Sequence, residues 1–478
     1  MFNFLFKKKT IEQFKKESNE GKFERNMGLI QLVSLGLGAV IGGGVFVFIG
    51  KAAFLHAGPA VTLSFLLCGI ICICAGLCYA EFASLVPVSG GSYSYTYVTL
   101  GEFPAWLMGF FAICAYFLAA ASVSNGWSAY FVGLLRDYSI IIPPEWSNIT
   151  NQIVVDNYGN LTKAIFNFPS FLICLLSMSI LYRGSSCSNN INLVIVFIKM
   201  SVLFIFIIIG FFAVKFTNWV PFIPDNTGVF GKYGWSGILS SVSILFLAYN
   251  GFDVICTAAQ ETKNPQKNLP IGIIISICIS TLTYFLVGGV LTGIVNYQDL
   301  NTTEPLAKAI AVLKIPLLLF FIKVGALASI TSVILVHQYA IIRMIYSISI
   351  DGLLPKIFSL THNIFFTPHI TTLCVGISMG LVGATIEIEK IMKLSTFFVL
   401  VSIYIVCLSI IYIRLKFPKL YRQFKCPFFP WLPLIGSLSS LFILTTYSFD
   451  IILYASVCLL VAMLVYFLYK KYRNVYKI

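Results

Sequence analysis

Long apolar runs, separated by short polar connections, dominate this chain of 478 residues. Since the runs do not alternate polar and apolar residues, as the strands of a membrane barrel would, we expect helices. A helix of about 20 apolar residues spans the core of a bilayer, so the sequence predicts an all-α integral membrane protein with about 12 transmembrane helices. Their approximate limits are 28–50, 59–86, 104–134, 168–182, 191–214, 236–258, 270–294, 320–347, 371–386, 393–414, 431–447 and 451–469.

Charged residues make up only 10% of the chain, whereas a soluble protein carries about 25%. This shortage nearly excludes a soluble globular enzyme. The formal net charge of +14 fits either a nucleic-acid partner or cytoplasmic loops rich in Lys and Arg. Basic residues concentrate at 7–25, at 414–425 and in the even-numbered connections. This bias predicts that both termini are cytoplasmic and that no nucleic acid is bound.

The first span contains three successive glycines, Gly42, Gly43 and Gly44. Each glycine costs a helix about 1 kcal/mol. Close helix packing is the alternative interpretation, because Gly38 and Gly42 form a GxxxG pair. Three adjacent glycines in the middle of a span favour a helix break. Such a break frees amides that can converge on an anion, aided by the positive end of the following half-helix.

The sixth span contains a second predicted break, at Asn250-Gly251. Asn-Gly is a strong local helix breaker. Two breaks that lie five spans apart fit two five-helix repeats of inverted orientation, followed by two additional helices. Broken helices at corresponding positions of such repeats surround binding sites near the middle of the membrane.

Ionisable residues inside the membrane are candidates for function. Lys199 lies in the fifth span, where it either snorkels to the interface or stays buried as an amine that takes up and releases a proton. His337, in the eighth span, is either a packing residue or a residue that lines a pocket. Glu81 and Asp253, near predicted inner ends, are either gate residues or interfacial charges.

Motifs for cofactors are incomplete. The glycines at 36–51 miss the spacing of both the dinucleotide and the phosphate-loop fingerprints. The cysteines at 68–78 are interpreted as small packing residues rather than zinc ligands, because no histidine accompanies them. All 13 cysteines fall in predicted spans or on the inner side, so no extracellular disulfide framework is expected. We predict no cofactor and no metal.

Several segments resemble the amino acid–polyamine–organocation superfamily, especially its cationic amino acid transporter-like bacterial permeases. The segments are GAVIGGGVF at 38–46, YAEFASLVPVSGGSYSYTY at 79–97, LAYNGFD at 247–253, ETKNPQKNLPIGI at 261–273, LTGIVNY at 291–297, DGLLPK at 351–356 and PWLPLIG at 430–436. The resemblance implies a five-plus-five inverted repeat with broken helices 1 and 6, and alternating access around a midplane site. It divides the chain into a cytoplasmic tail 1–27, a transporter core 28–414 with helices 1–10, helices 11–12 at 415–469 and a cytoplasmic tail 470–478.

The resemblance also implies a set of site residues. The amides of Gly42, Gly43 and Gly44 would hold a substrate carboxylate. Backbone carbonyls of the two breaks would receive its ammonium, at Val40, Ile41, Phe246, Leu247, Ala248, Tyr249 and Asn250. Lys199 matches the lysine that replaces the sodium ion of sodium-coupled relatives, with Thr331 and Ser332 as nearby hydroxyls. Two departures from the family pattern, Asn250 and His337, put the size and charge of the substrate in doubt.

The resulting hypothesis is a secondary transporter that moves α-amino acids across a bacterial cell membrane. Proton symport is the favoured coupling, and exchange of amino acids or polyamines is the alternative. An ion channel or receptor is a rival from another class. A membrane enzyme is disfavoured, because no span carries a His-Glu metal pattern or a nucleophile elbow. The oligomeric state and the identity of the amino acid stay open.

Overall fold

A computed structural model of the protein describes residues 7–10, 12–14, 25–155, 159–386 and 388–476. Within these residues, eight segments are long and apolar enough to cross a membrane, and three shorter apolar helices accompany them. The first segment, Leu29–Leu85, is 57 residues long, which is enough for two crossings, and it is interrupted at Gly58 with a φ of 59°. The predicted all-α membrane class is confirmed, while the count of twelve and the inverted repeat stay predictions.

The α-helices share one bundle. In chain order they are α1 Leu29–Val40, α2 Ile49–Ala52, α3 Val61–Leu85, α4 Ser92–Thr99, α5 Glu102–Asp137, α6 Phe168–Tyr182, α7 Ser185–Phe211, α8 Gly234–Leu245, α9 Pro265–Ile294, α10 Pro305–Leu313, α11 Pro316–Ile350, α12 His369–Thr385, α13 Ile388–Lys416, α14 Trp431–Thr445 and α15 Phe449–Tyr476. Part of the predicted tail 1–27 lies outside the described residues. At the other end, α15 continues as a helix through most of the predicted tail 470–478.

A small sheet lies in the connection between α5 and α6. Strands β1 Ile153–Val155 and β2 Leu161–Lys163 pair antiparallel, with Val154 opposite Thr162. No strand is predicted here from the sequence. Three-residue strands give too short an alternation to be recognised from a sequence, and this pair leaves the helical class of the bundle unchanged.

The centre of the bundle is built around α1. This helix packs against α7, α9 and α11, and its residues from Gly36 to Val40 are all buried. By contrast, α15 exposes large apolar side chains along much of its length, among them Leu460, Leu464 and Leu468. Exposed apolar surface of this extent is expected where a helix faces lipid.

Both predicted helix breaks are confirmed. Helix α1 ends at Val40, Ile41 has an extended backbone (φ −79°, ψ 107°), and the chain resumes as a π-helical turn at Gly44–Phe48. Helix α8 passes into a 3₁₀ turn at Phe246–Tyr249. The chain then turns at Gly251, whose φ of 103° suits a residue without a Cβ, before a second 3₁₀ segment at Phe252–Glu261.

Candidate functional site

The two helix breaks meet in the interior of the bundle. A Cβ added to Gly44 would lie 2.1 Å from the Cβ of Ala248, and one added to Gly42 would lie 2.2 Å from Cγ2 of Val333. These glycines therefore allow close packing and also belong to the break. Close helix packing and a helix break, which the sequence offered as alternatives, therefore both apply to these glycines.

A small buried cavity lies where the breaks meet. Its volume is about 10 Å³, roughly the space of one water molecule. Six residues named in the sequence analysis line it: Val40, Gly43, Gly44, Leu247, Asn250 and His337. Its other lining residues are Ala39, Phe48, Ala119, Val123 and Val333. The remaining named residues of the breaks, which are Ile41, Gly42, Phe246, Ala248 and Tyr249, lie behind this lining.

The resumed first helix supplies hydrogen-bond donors. Its first hydrogen bonds run from the amides of Val45 and Phe46 to the carbonyl of Gly42, at 3.2 and 3.1 Å. The amides of Gly42, Gly43 and Gly44 precede these bonds and have no acceptor within that helix. They lie at the positive end of the helix, where an anion is favoured.

The carbonyls that would receive an ammonium are partly engaged. The hydroxyl of Tyr284 lies 2.7 Å from the carbonyl oxygen of Val40 and 2.8 Å from that of Ala248. One hydroxyl hydrogen can serve only one of these oxygens at a time. Tyr249, in turn, donates to the carbonyl of Phe65 on α3, so its side chain points away from the cavity. Sequence reasoning missed Tyr284, which links the two breaks.

Two polar side chains reach the cavity. Asn250 donates from Nδ2 to Ser395 at 3.3 Å, and His337 contacts the carbonyl of Val333 through Nδ1 at 2.8 Å. The other polar atom of each side chain, Asn250 Oδ1 and His337 Nε2, has no hydrogen-bond partner in the described part of the protein. The imidazole also packs edge to face against Tyr116, with ring centroids 5.5 Å apart.

Lys199 is fully buried and does not snorkel. Its ammonium donates to the carbonyls of Ile41 at 2.7 Å, Leu37 at 2.8 Å and Gly38 at 3.4 Å. The carbonyl of Leu37 also accepts from the amide of Ile41, whereas the carbonyls of Gly38 and Ile41 have no partner within α1, whose last turn carries the negative end of the helix dipole. The ammonium therefore satisfies the backbone that the break exposes.

The hydroxyls around Lys199 differ from those implied by the family resemblance. The hydroxyl of Ser332 lies 3.2 Å from the carbonyl oxygen of Gly38, which places it beside the amine as expected, and its shorter hydrogen bond, at 2.7 Å, is donated to Oδ1 of Asn192. Thr331 instead donates within its own helix and accepts from Trp127 at 3.0 Å. The second hydroxyl beside the amine is that of Ser329, 2.9 Å from the carbonyl of Ile41.

A larger cavity of about 660 Å³ opens on one face of the bundle, and we call it the vestibule. Phe48, Lys51, His56, Lys393 and Tyr447 are among its lining residues. Phe48 lines both the vestibule and the small cavity, so its ring lies between them. Access from this face therefore depends on the position of that ring.

The opposite face carries both described ends of the chain, and we call it the terminal face. Helix α15 leads there from the vestibule, over about 40 Å. Ion pairs formed by buried carboxylates close this face. Glu81 pairs with Arg414 and Arg422, Asp351 with Lys9, and Glu261 with Arg343. Glu81, which the sequence analysis left between a gate and an interfacial charge, is buried in such a cluster.

Arg343 and Glu261 are not predicted as functional residues from the sequence, yet they form a buried ion pair. Arg343 lies in α11, only six residues after His337, and its guanidinium is 2.5 Å from the Glu261 carboxylate. Tyr339 donates to the same carboxylate at 2.9 Å. An arginine within a predicted span was the available signal, because charged residues inside the membrane are paired or functional.

The sequence has well-defined relatives among known proteins. The profile of the family described as amino acid permease matches residues 27–469. The methylthioribose transporter of Bacillus subtilis (strain 168) is 37% identical over 98% of this chain and 98% of its own length. The branched-chain amino acid permease BcaP of the same strain is 35% identical with the same coverage. Cationic amino acid transporter 4 of Mus musculus is 30% identical over 86% of this chain and 63% of its own length.

These matches extend over nearly the whole chain and through both helix breaks. The chain belongs to the amino acid permease family, within the superfamily that the sequence motifs indicated. The relatives are transporters and permeases rather than enzymes, and the protein is a multi-pass membrane protein.

Proposed function

We propose that this member of the amino acid permease family is a secondary transporter that moves α-amino acids by alternating access. One observation carries the proposal: two broken helices bring free amides and backbone carbonyls together at a buried cavity. A zwitterion needs converging donors for its carboxylate and converging acceptors for its ammonium. Gly42, Gly43 and Gly44 offer the donors, and the carbonyls of Val40 and of residues 246–250 offer the acceptors, whereas the carbonyl of Ile41 is engaged by Lys199 and Ser329.

Access to the cavity would alternate between the two faces. In the structure the terminal face is closed by ion pairs, and the vestibule approaches the cavity as far as Phe48. Transport then requires the Phe48 ring to move aside for entry and the ion pairs of the terminal face to part for release. With both termini cytoplasmic in a bacterial cell membrane, as the positive-inside bias favours, the vestibule would face outward.

Coupling to protons is the favoured mode, and amino acid exchange is the alternative. The carbonyl of Ile41 and the amide of Gly42 belong to one trans peptide, so they point in opposite directions. The carbonyl binds Lys199, and the amide is one of the proposed carboxylate donors. If Lys199 loses its proton, its hydrogen bond to this carbonyl weakens and Ser329 remains as the second donor, so the peptide is held less tightly and the donor for the carboxylate can shift with it. Proton and substrate would thus act on the same backbone group.

A second candidate substrate is methylthioribose, a sugar derivative that lacks a carboxylate. A relative at 37% identity is described as its transporter. The unpartnered acceptors on Asn250 and His337 favour this candidate, because sugar hydroxyls are hydrogen-bond donors. The free glycine amides favour a carboxylate, and for that reason an α-amino acid is the first candidate. The free glycine amides also disfavour a polyamine, because a polyamine has no carboxylate.

Reconstitution of the full chain into proteoliposomes tests the proposal. We expect saturable uptake of at least one α-amino acid, accelerated when the outside is more acidic than the inside. Methylthioribose belongs in the same panel. Uptake that requires an amino acid preloaded on the opposite side would favour exchange. Ion conductance without saturation would contradict a carrier.

A further inference from the structure

The orientation of the Asn250 amide is fixed by its neighbours. Ser395 gives its hydroxyl hydrogen to the carbonyl of Ala115, at 2.7 Å. Ser395 can therefore only accept from Asn250, and the group that contacts it must be Nδ2. This leaves Oδ1, a hydrogen-bond acceptor, as the unpartnered atom of a side chain that is only 3% exposed and lines the cavity.

The tautomer of His337 is fixed by the same reasoning. The carbonyl of Val333 can only accept, so Nδ1 of the imidazole carries the hydrogen. In the neutral ring Nε2 is then a bare acceptor, and it is buried without a partner in the described part of the protein. Gly251 packs closely beside it, because a Cβ at that position would lie 3.2 Å from Nε2 and 2.7 Å from the Cβ of Ala39.

No other side chain that lines the cavity can donate a hydrogen bond to these two acceptors. Its other lining residues are glycine, aliphatic or, at Phe48, aromatic. A buried acceptor without a donor costs free energy, so a ligand that brings donors gains more here than one that does not. No Asp or Glu lines the cavity, so a cationic side chain would find no countercharge among the lining residues, which makes its burial costly.

We propose that Asn250 and His337 select a small, neutral, hydroxyl-bearing substrate, whose hydroxyl donates to Asn250 Oδ1 or His337 Nε2. The inference rests on the proposed function and adds the class of side chain. In an amino acid the ammonium would bind the carbonyls of the helix breaks, so the side chain carries the hydroxyl. The cavity holds no more than about one water molecule, so its lining must separate around any substrate, and a small side chain requires the smallest separation.

Pairs of amino acids that differ in one group give the sharpest probe. L-threonine and L-valine have nearly the same shape, and only L-threonine has a hydroxyl; L-serine and L-alanine form a second pair. Equilibrium binding to the full-length protein in lipid nanodiscs, by calorimetry, measures each preference directly. We expect each hydroxylated member to bind about 10-fold more tightly than its partner, since a site built around hydrogen bonds rejects analogues that lack them. L-lysine and L-arginine should bind more weakly than L-threonine.

Two substitutions assign the preference to the two side chains. Asn250→Leu and His337→Met remove the acceptors while keeping a similar volume. Because one hydroxyl hydrogen serves one acceptor at a time, the substitution of the acceptor in use should reduce the preference for L-threonine over L-valine to about 3-fold or less, mainly by weakening L-threonine binding, and the double variant should do so in either case. Gln338→Met is the matched control. Gln338 is also buried on α11 and also has an unpartnered oxygen, but it contacts Cys174 and does not line the cavity. This control should keep the full preference.

The outcomes separate the inference from the proposed function. A wild-type protein that binds L-valine, L-lysine or L-arginine best would overturn hydroxyl selection and leave amino acid transport standing. Binding of methylthioribose but of no amino acid, with loss of affinity in both variants, would overturn amino acid transport and support hydroxyl selection. A preference that survives both substitutions would overturn the role of Asn250 and His337. The wild-type comparison holds even if a variant fails to fold.

Discussion

Two polar sites lie side by side on the broken first span, and they differ in how their hydrogen bonds are satisfied. Around Lys199 the ammonium has carbonyl partners at 2.7 to 3.4 Å. In the neighbouring cavity, Asn250 Oδ1 and His337 Nε2 have no partner among the described residues. Buried polar groups in folded proteins are nearly always paired. The paired site therefore stabilises the break, while the unpaired one is suited to a ligand.

The strongest test of this contrast is Lys199→Ala. The substitution removes the charge-assisted hydrogen bonds to the carbonyls of Leu37, Gly38 and Ile41, and a hydrogen bond to a charged group is worth about 1.5–3 kcal/mol. The carbonyls of Leu37 and Ile41 keep the Ile41 amide and the Ser329 hydroxyl as donors. Because Lys199 is also the proposed proton carrier, we expect uptake driven by a pH gradient to fall to background. Proteoliposome uptake with and without the gradient measures this. Full proton-driven uptake by the variant would remove Lys199 from the coupling mechanism.

Lys323→Ala is the matched control for that experiment. Lys323 is likewise a lysine buried in a long apolar helix, but it pairs with Asp137 at 2.5 Å and with the carbonyl of Gly133 at 3.1 Å. It lies six residues before Ser329 on α11, about 9 Å along the helix axis, and does not contact the helix break. Its loss should leave the dependence of uptake on pH intact.

The next largest effect is expected from Gly44→Ala, which acts on the cavity. The new Cβ would lie 2.1 Å from that of Ala248, so the two breaks must separate. We expect at least about 10-fold weaker substrate binding, since overpacking of this kind costs about 1–3 kcal/mol. Calorimetric binding measures the effect. Gly289→Ala is the control, because its Cβ would lie 3.8 Å from the nearest atom and alanine favours a helix. Equal losses in both variants would contradict the specific role of Gly44.

The sequence predicted the positions of both breaks because their cause is local. Gly42, Gly43 and Gly44 and the Asn250-Gly251 pair disfavour a helix wherever they stand. Pairings between distant helices have no such local signal. The contact between Arg343 and Glu261, and the link from Tyr284 to both breaks, depend on how separate helices pack.

The hydroxyls near Lys199 show a further limit on what can be predicted from the sequence. Ser329, Thr331 and Ser332 follow closely on α11, and successive residues of a helix point about 100° apart. Which two of the three face the amine depends on the rotation of α11 about its own axis. That rotation is set by packing against α1 and α7, which a sequence alone does not fix to one residue.

Ser329→Ala and Thr331→Val test that rotation, and both should have moderate effects. Ser329→Ala removes one hydrogen bond to the carbonyl of Ile41, a loss of about 1 kcal/mol. We expect a several-fold reduction in pH-driven uptake. Thr331→Val should leave uptake close to that of the wild type, because its hydroxyl contacts Trp127 instead. Initial rates of uptake, normalised to the amount of protein inserted, decide between them. The opposite ranking would restore the pair of hydroxyls expected from the family resemblance.

The smallest effect is expected from Tyr284→Phe. Tyr284 lies between the site of Lys199, where the polar groups are paired, and the cavity, where two acceptors are not. The substitution removes a hydroxyl that serves the carbonyl of Val40 or that of Ala248. Unfolding in detergent should require about 1 kcal/mol less free energy, the typical value of one hydrogen bond. Substrate affinity should change less than about 3-fold, because a bound ammonium can donate to both freed carbonyls and offset the lost hydroxyl. A loss of 100-fold would instead mean that the hydroxyl itself contacts the substrate, and the cavity would then contain a donor as well as its two acceptors.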